Sequence, residues 1–259
     1  MPSLPQKLIW YLRRPVLYPV LARKTVQVAR RIFLFRDDLA ESRARAEAWC
    51  LPRAMSTPEA LVKITGNASF ESLRSQFDDI FKRSEAAAAA CPVKMGGPSN
   101  LDLLYQLAEH VQARRVIETG VAYGWSSLAL LLSIKKRNGM LVSTDLPYAG
   151  LNNDLYVGCV IPDELRENWK LLRGTDRQRV PEAIKLAGTL DLCHYDSDKS
   201  YSGRMWTYPR LWDALSLGGL FISDDIGDNL GFADFVRSVG IEPIVVRSGE
   251  KYVGVLTKC

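Results

Sequence analysis

The feature that most constrains this chain is a regular alternation of short apolar runs and helix-like segments between residues 114 and 259. Five runs, "RRVIETG", "GMLVSTDL", "WKLLRGT", "LDLCHYD" and "GGLFISDD", have the length and composition of buried strands. Between and after them lie "SSLALLLSIKKR", "PDELRENW", "RVPEAIKLAG", "SGRMWTYPRLWDAL" and "GFADFVRSVG", which read as helices. The end, "EPIVVRSGEKYVGVLTK", reads as two strands around Ser248-Gly249. Strands alternating with helices predict an α/β fold: a mostly parallel sheet of seven strands with helices on both faces. The terminal hairpin would add an antiparallel strand at one edge. In such a sheet a ligand sits beyond the carboxyl ends of the strands.

Upstream the chain changes character. Residues 37–93 read as helices, in "RDDLAESRARAEAW" and "SFESLRSQFDDIFKRSEAAAAAC", the alanine run having high helix propensity. "CPVKMGG" reads as a loop into a helix from Asn100 to Gln112. Residues 1–36 are a basic leader, with Lys7, Arg13, Arg14, Arg23, Lys24, Arg30, Arg31 and Arg36 and no acid. The formal net charge of +5 is therefore the leader's, and the body is mildly acidic. From Val20 to Phe35, Leu21, Val28, Ile32 and Phe35 recur at roughly helical spacing among arginines and lysines. That is the pattern of an interfacial helix on an anionic membrane, or of an arm packed on the body or on a second subunit of a homo-oligomer. The expected division is a leader and helical extension over residues 1–93 and a ligand-binding domain over 94–259.

Five scattered cysteines without a CxxC pair argue against a disulfide framework or a cysteine-rich zinc site and suit a reducing, cytoplasmic compartment. Two histidines cannot build a histidine-rich metal centre. No apolar run is long enough to span a bilayer, and Arg13-Arg14 interrupt what would be the core of a signal peptide. Nothing in the chain points to nucleic acid.

The ligand is indicated by "VIETGVAYGWSS", residues 116–127. An apolar strand ends in Glu118, and Gly120 and Gly124 follow, with Tyr123 between them. The glycines allow close approach of backbone to a ligand. Ser126 or Ser127 can cap the next helix, whose first amides suit a carboxylate. The dinucleotide pattern GxGxxG is absent, and Glu118 would repel a pyrophosphate. A ligand with a positive end and a free amino acid moiety fits better.

Residues 100–259 resemble the class I S-adenosylmethionine-dependent methyltransferases, with E-x-G-x-x-x-G in a strand-turn-helix setting. The resemblance implies a Rossmann-like methyltransferase fold with Glu118, Gly120, Tyr123, Gly124 and Ser126 around the cofactor. It also implies that Asp145, ending "VSTDL", holds the ribose hydroxyls through a bidentate acceptor. Thr175 or Asp176, after "LRGTDRQ", would lie near the adenine, and Asp196 would complete the cofactor site.

A second constellation is "HYDSDKSYSGR" with "GGLFISDDIGDN". Their strands are expected to be neighbours, which would gather Asp196, Asp198, Asp224 and Asp225 at one edge. Gathered carboxylates repel unless a cation or proton is shared. Hard oxygen ligands suit Mg²⁺ or a similar divalent cation. The arrangement resembles catechol O-methyltransferase-like enzymes and, more closely, the macrocin-type sugar O-methyltransferases of family 24. There Asp196, Asp224 and Asp225 would be metal ligands, with Asp198 or Lys199 as the base. Lys199 departs from the histidine of the family's "DGDHSY". Flanking carboxylates disfavour a neutral lysine, which tilts the choice toward Asp198. His194 reads as a packed histidine. Tyr195, Tyr201 and Trp206 read as pocket or core, and "PYAGLNNDLYVGCVIPDEL" as an acceptor-side segment.

The reading is thus an O-methyltransferase acting on a hydroxyl of a small molecule, a sugar or glycoside by family analogy, with a lipid-linked glycan suggested by the leader. Its rivals are a nicotinamide-dependent oxidoreductase on a related sheet and a non-catalytic methyltransferase-fold binding protein.

Overall fold

The computed structural model describes residues 2–22, 25–26 and 38–259. Eight strands form one sheet: β1 (Ala54–Met55), β2 (Arg115–Thr119), β3 (Met140–Asp145), β4 (Trp169–Arg173), β5 (Leu190–Tyr195), β6 (Leu215–Ser223), β7 (Ile244–Ser248) and β8 (Lys251–Thr257). Their spatial order is β1-β7-β8-β6-β5-β2-β3-β4. From β6 through β5, β2 and β3 to β4 every pairing is parallel. Their apolar runs are nearly continuous because helices cover both faces. Adjacent residues still divide between two cores: Val116, Leu141, Leu192 and Leu220 face one layer, and Ile117, Val142, Cys193 and Phe221 the other. The helix Trp125–Ile134 is buried on all sides beyond its first residue, which explains its lack of amphipathic pattern.

Two expectations about the sheet are corrected. It has eight strands rather than seven, the extra one being the two-residue β1 from the N-terminal extension. The antiparallel strand is also not at an edge. β8 lies between β6 and β7 and is antiparallel to both. The hairpin folds back so that its second strand takes the β6 edge, and β1 then pairs in parallel with the outlying β7. A two-residue edge strand leaves little unpaired backbone to recruit another chain.

The extension shares the core of the sheet. Ala60, Leu61, Leu73 and Phe81 pack in the same cluster as Leu104, Leu128 and Val246. The leader opens with a helix, Leu4–Leu12, begun by a capping box of Ser3 and Gln6. Most of the helix expected from Val20 to Phe35 lies outside the described residues. Among the described residues no helix is long and apolar enough to cross a membrane.

Candidate active site

The order of the sheet reverses direction between β2 and β5, and the carboxyl ends of β2, β3, β4 and β5 open there into a cavity of about 600 Å³. Its floor is the first turn after β2. Gly120 has φ +83°, and a Cβ built on it would lie 2.3 Å from the Asp196 carbonyl oxygen. The neighbouring crossover is stitched tightly: Asp196 N–H donates to the Thr119 carbonyl at 2.9 Å, and Ser197 Oγ to Thr119 Oγ1 at 2.9 Å. Gly120→Ala is expected to cost about 1–3 kcal/mol through backbone strain alone, with the contact adding to it. An unchanged thermal midpoint would show that the turn can move aside.

Asp145, at the end of β3, lines this cavity. Its Oδ2 accepts from the amides of Val121 at 3.0 Å and Ala122 at 3.4 Å, so the carboxylate braces the glycine turn. Oδ1 is buried without a hydrogen bond, 3.5 Å from Arg173 Nη1. Burial raises the pKa of Asp145 against the two amides and Arg173. Thr175 caps the helix Asp176–Ala187, and both Thr175 and Asp176 stand in the cavity wall. Burial pushes Asp176 up to about 6, although Ser197 Oγ donates to it at 2.6 Å. Ser126 also lines the cavity.

Three expected cofactor residues lie elsewhere. Glu118 is fully buried beneath the floor and does not reach the cavity. Its Oε2 accepts from Ser127 Oγ and from Ser143 Oγ at 2.8 Å. Strand alternation explains this: Thr119 and the turn face the ligand end, while Glu118 points into the interior. Tyr123 donates from its hydroxyl to the Val93 carbonyl at 3.1 Å, away from the cavity. Gly124 is packed against Gly158 and Ile161. It is also the N-cap of the following helix, so neither serine caps it.

Beneath the floor runs a buried charged row. His194, fully buried on β5, sets Nδ1 3.6 Å from Glu118 Oε1 and Nε2 3.4 Å from Asp224 Oδ1. These are ion-pair distances, and none of the four atoms makes a hydrogen bond. Burial alone would lower the imidazole pKa; Asp224 and Glu118 outweigh it and raise it to about 10. Reciprocally, His194 overcomes the effect of burial on Asp224 and holds that carboxyl below the usual range. The expectation of a packed histidine holds, with two buried carboxylate neighbours that sequence alone does not reveal.

The acidic edge forms as expected from neighbouring β5 and β6, but the residues do not fit a divalent cation. Asp224 is turned inward to His194. Lys199 Nζ lies between Asp196 Oδ1, at 3.1 Å, and Asp225 Oδ2, with which it makes a close ion pair. Lys251 Nζ takes Asp225 Oδ1 at 2.9 Å. Among the described residues no three carboxylate, thiol or imidazole side chains are grouped so as to hold a metal ion. Lysine ammonium groups thus occupy the position assigned to a metal held by Asp196, Asp224 and Asp225. Asp198 lines the cavity, but its Oδ1 accepts from Ser200 N–H at 3.1 Å, bracing the start of the helix Tyr201–Ala214. Burial and Asp224 raise the pKa of Asp196 against Lys199.

Sequence reasoning missed Lys251, because nothing local places the hairpin beside β6. It also missed Thr207, which lines the cavity with a buried Oγ1 lacking a hydrogen bond. Trp206 lines the cavity, whereas Tyr195 is core and Tyr201 is an exposed residue bonded to Asp234. Pro147, Tyr148 and Ala149, from the segment expected on the acceptor side, line the cavity. Tyr11 and Val20 of the leader complete it.

A parallel sheet with its cavity at the reversal, a glycine turn after the first strand and an acid ending the second define a class I methyltransferase. Residues 117–226 match the family model described as a methyltransferase domain. No curated protein matches the sequence. Among solved structures, an O-methyltransferase from Bacillus cereus in complex with SAH is similar at 14% identity and TM-score 0.55, over 82% of this chain and 100% of that one. The O-methyltransferase TomG from Streptomyces achromogenes, involved in tomaymycin synthesis and bound to SAM, is similar at 16% identity and TM-score 0.52, over 78% of this chain and 96% of that one. A methyltransferase from Geobacter sulfurreducens is similar at 18% identity and TM-score 0.52, over 70% and 89%. At these identities the likeness concerns the fold.

Proposed function

We propose that this protein transfers the methyl group of S-adenosylmethionine to a hydroxyl of a small molecule. The observation that carries the reading is Asp145, a carboxylate held by the glycine turn's own amides in the wall of the cavity. The pairing prepares an acceptor for ribose hydroxyls and leaves the bare backbone of Gly120 for the rest of the nucleoside. Asp176 and Thr175 supply the opposite wall, where the base would lie.

S-adenosylmethionine supplies an electrophilic methyl on a sulfonium. Bound there, it would give that methyl to the acceptor oxygen and leave as the neutral thioether, and the acceptor's proton would pass to a nearby side chain. Lys199, fixed by Asp196 and Asp225, supplies a positive charge beside the acceptor oxygen and favours its developing negative charge. Asp196, whose pKa burial and Asp224 raise despite its ion pair with Lys199, is better placed to take the proton than Asp198, which is tied to Ser200. The lysine thereby takes the part that the acidic edge suggested for a divalent cation.

The acceptor class we favour is polyhydroxylated, a sugar or glycoside. Asp198, Ser202 and Thr207 give that end of the cavity several hydroxyl partners, Thr207 Oγ1 being unpaired. Asp145→Ala is expected to weaken S-adenosylmethionine binding by about 2–4 kcal/mol through loss of charge-assisted hydrogen bonds. Titration calorimetry with S-adenosylmethionine, S-adenosylhomocysteine and NAD checks both the variant and the assignment. Binding of NAD in preference to the sulfonium would replace this reading with the oxidoreductase one.

A further inference from the structure

The leader has two sides with different partners. Trp10, Tyr11 and Leu17 are buried against Val20, Leu21, Leu146 and Ala149, and Tyr11 faces the cavity. Arg14 locks this seat: its guanidinium stacks 4.2 Å from the Trp10 ring centroid and reaches Asp154 at 3.7 Å. Gln178 Nε2 donates to the Val16 carbonyl at 3.1 Å. The leader is therefore the roof over the acceptor end.

Left exposed on the same leader, Leu4, Leu8 and Leu12 follow one another at four-residue spacing, with Ile9 and, in the next short helix, Val16. All five are exposed, Leu4 by 85% and Val16 by 66%. They are far more apolar than the contacts with the body require. Leu155, next to the Asp154 that Arg14 contacts, is 89% exposed. Lys7 and Arg13 flank the row, and residues 1–36 contain no acid to offset eight bases. An apolar row among basic side chains is complementary to an anionic lipid surface: the aliphatic groups enter the acyl boundary and the cations meet headgroup phosphates.

Resting on the cavity's reading as a methyl-acceptor site, we propose that the leader is an interfacial roof. Its outer row seats on an anionic bilayer, and its inner side admits an acceptor presented from that lipid surface. The acceptor class this implies is an amphiphile, with its hydroxylated head in the cavity and its apolar part left in the bilayer.

The full chain should sediment with vesicles of phosphatidylglycerol and phosphatidylcholine, not with phosphatidylcholine alone, and release as salt rises. The triple variant L4S/L8S/L12S changes only exposed side chains and should keep its thermal midpoint. Its partitioning should fall about tenfold or more, from the apolar area withdrawn, with S-adenosylmethionine affinity unchanged. Amide exchange on vesicles should slow over residues 4–22 and 146–155 and not in β7 and β8. Intact cofactor binding without vesicle binding at low salt overturns the proposal, as does vesicle binding that leaves residues 146–155 unaffected. If the triple variant instead dissolves a dimer, the row belongs to a second copy and the proposal also falls. A chain that binds vesicles but not S-adenosylmethionine overturns the methyl-transfer reading, and the acceptor route with it.

Discussion

Replacing His194 by leucine should lower stability by about 3–5 kcal/mol, the usual cost of removing one partner from a buried ionic set. The substitution leaves Glu118 and Asp224 facing a dry interior without the imidazolium between them. The effect should also depend on pH in a definite direction. The folded pKa of His194 is raised from 6.5 to about 10, so its stabilising contribution is complete below about pH 6.5. Between those values the native state holds a proton that the unfolded chain has lost, and stability falls as pH rises. Buried thiols, pushed up by desolvation at Cys50 and Cys193, add a further fall at higher pH in both proteins. The informative comparison is therefore the difference between wild-type and His194→Leu denaturant midpoints from pH 6.5 to 8.5. That difference should shrink with pH. A constant difference would mean that His194 is neutral and acts through packing alone.

The second large effect is expected at Lys199. Lys199→Met removes the ammonium that Asp196 and Asp225 hold at the acceptor end. Turnover should drop by about 10²–10³, the size of effect seen when one preorganised group is taken from a developing oxyanion. If Lys199 serves the acceptor as proposed, affinity for S-adenosylmethionine should change little, and Lys199→Arg should restore part of the rate. Chelator should leave wild-type turnover unchanged. Loss of methyl transfer on chelation, or full activity in Lys199→Met, would return the acidic edge to a divalent cation. Single-turnover rates separate chemistry from binding here.

Both effects arise from contacts between distant parts of the chain. His194 and Glu118 are 76 positions apart, and the register that pairs them belongs to the β2–β5 ladder. In sequence Glu118 reads as a ligand residue because it ends an apolar run one position before the glycine turn. Which way that last side chain points depends on where the strand stops, since successive residues face opposite sides. The strand runs one residue further, to Thr119, and the carboxylate turns inward. The next helix likewise begins earlier than the serines suggest, with Gly124 at its N-cap, and Ser127 serves Glu118 instead.

The sequence by itself determined the periods, and with them the order of strands and helices, the sheet class and the carboxyl edge where the site must lie. Asp145, Gly120, Thr175, Asp176 and Asp196 could be named because each ends a strand or follows one within three residues, and in a parallel sheet all such positions converge. Local pattern carries that much because strand ends and turns are local features. Only the tertiary structure decided what neutralises the acidic edge. A row of carboxylates is equally consistent with a metal, a proton or lysines until the partners are in place. Lys199 folds back onto Asp225 across two strands, and Lys251 arrives on β8 because the hairpin inserts beside β6 instead of lying at the rim. The leader shows the same division: its basic and apolar composition is written in the chain, but which residues it buries and which it leaves outside follows from the surface it packs on.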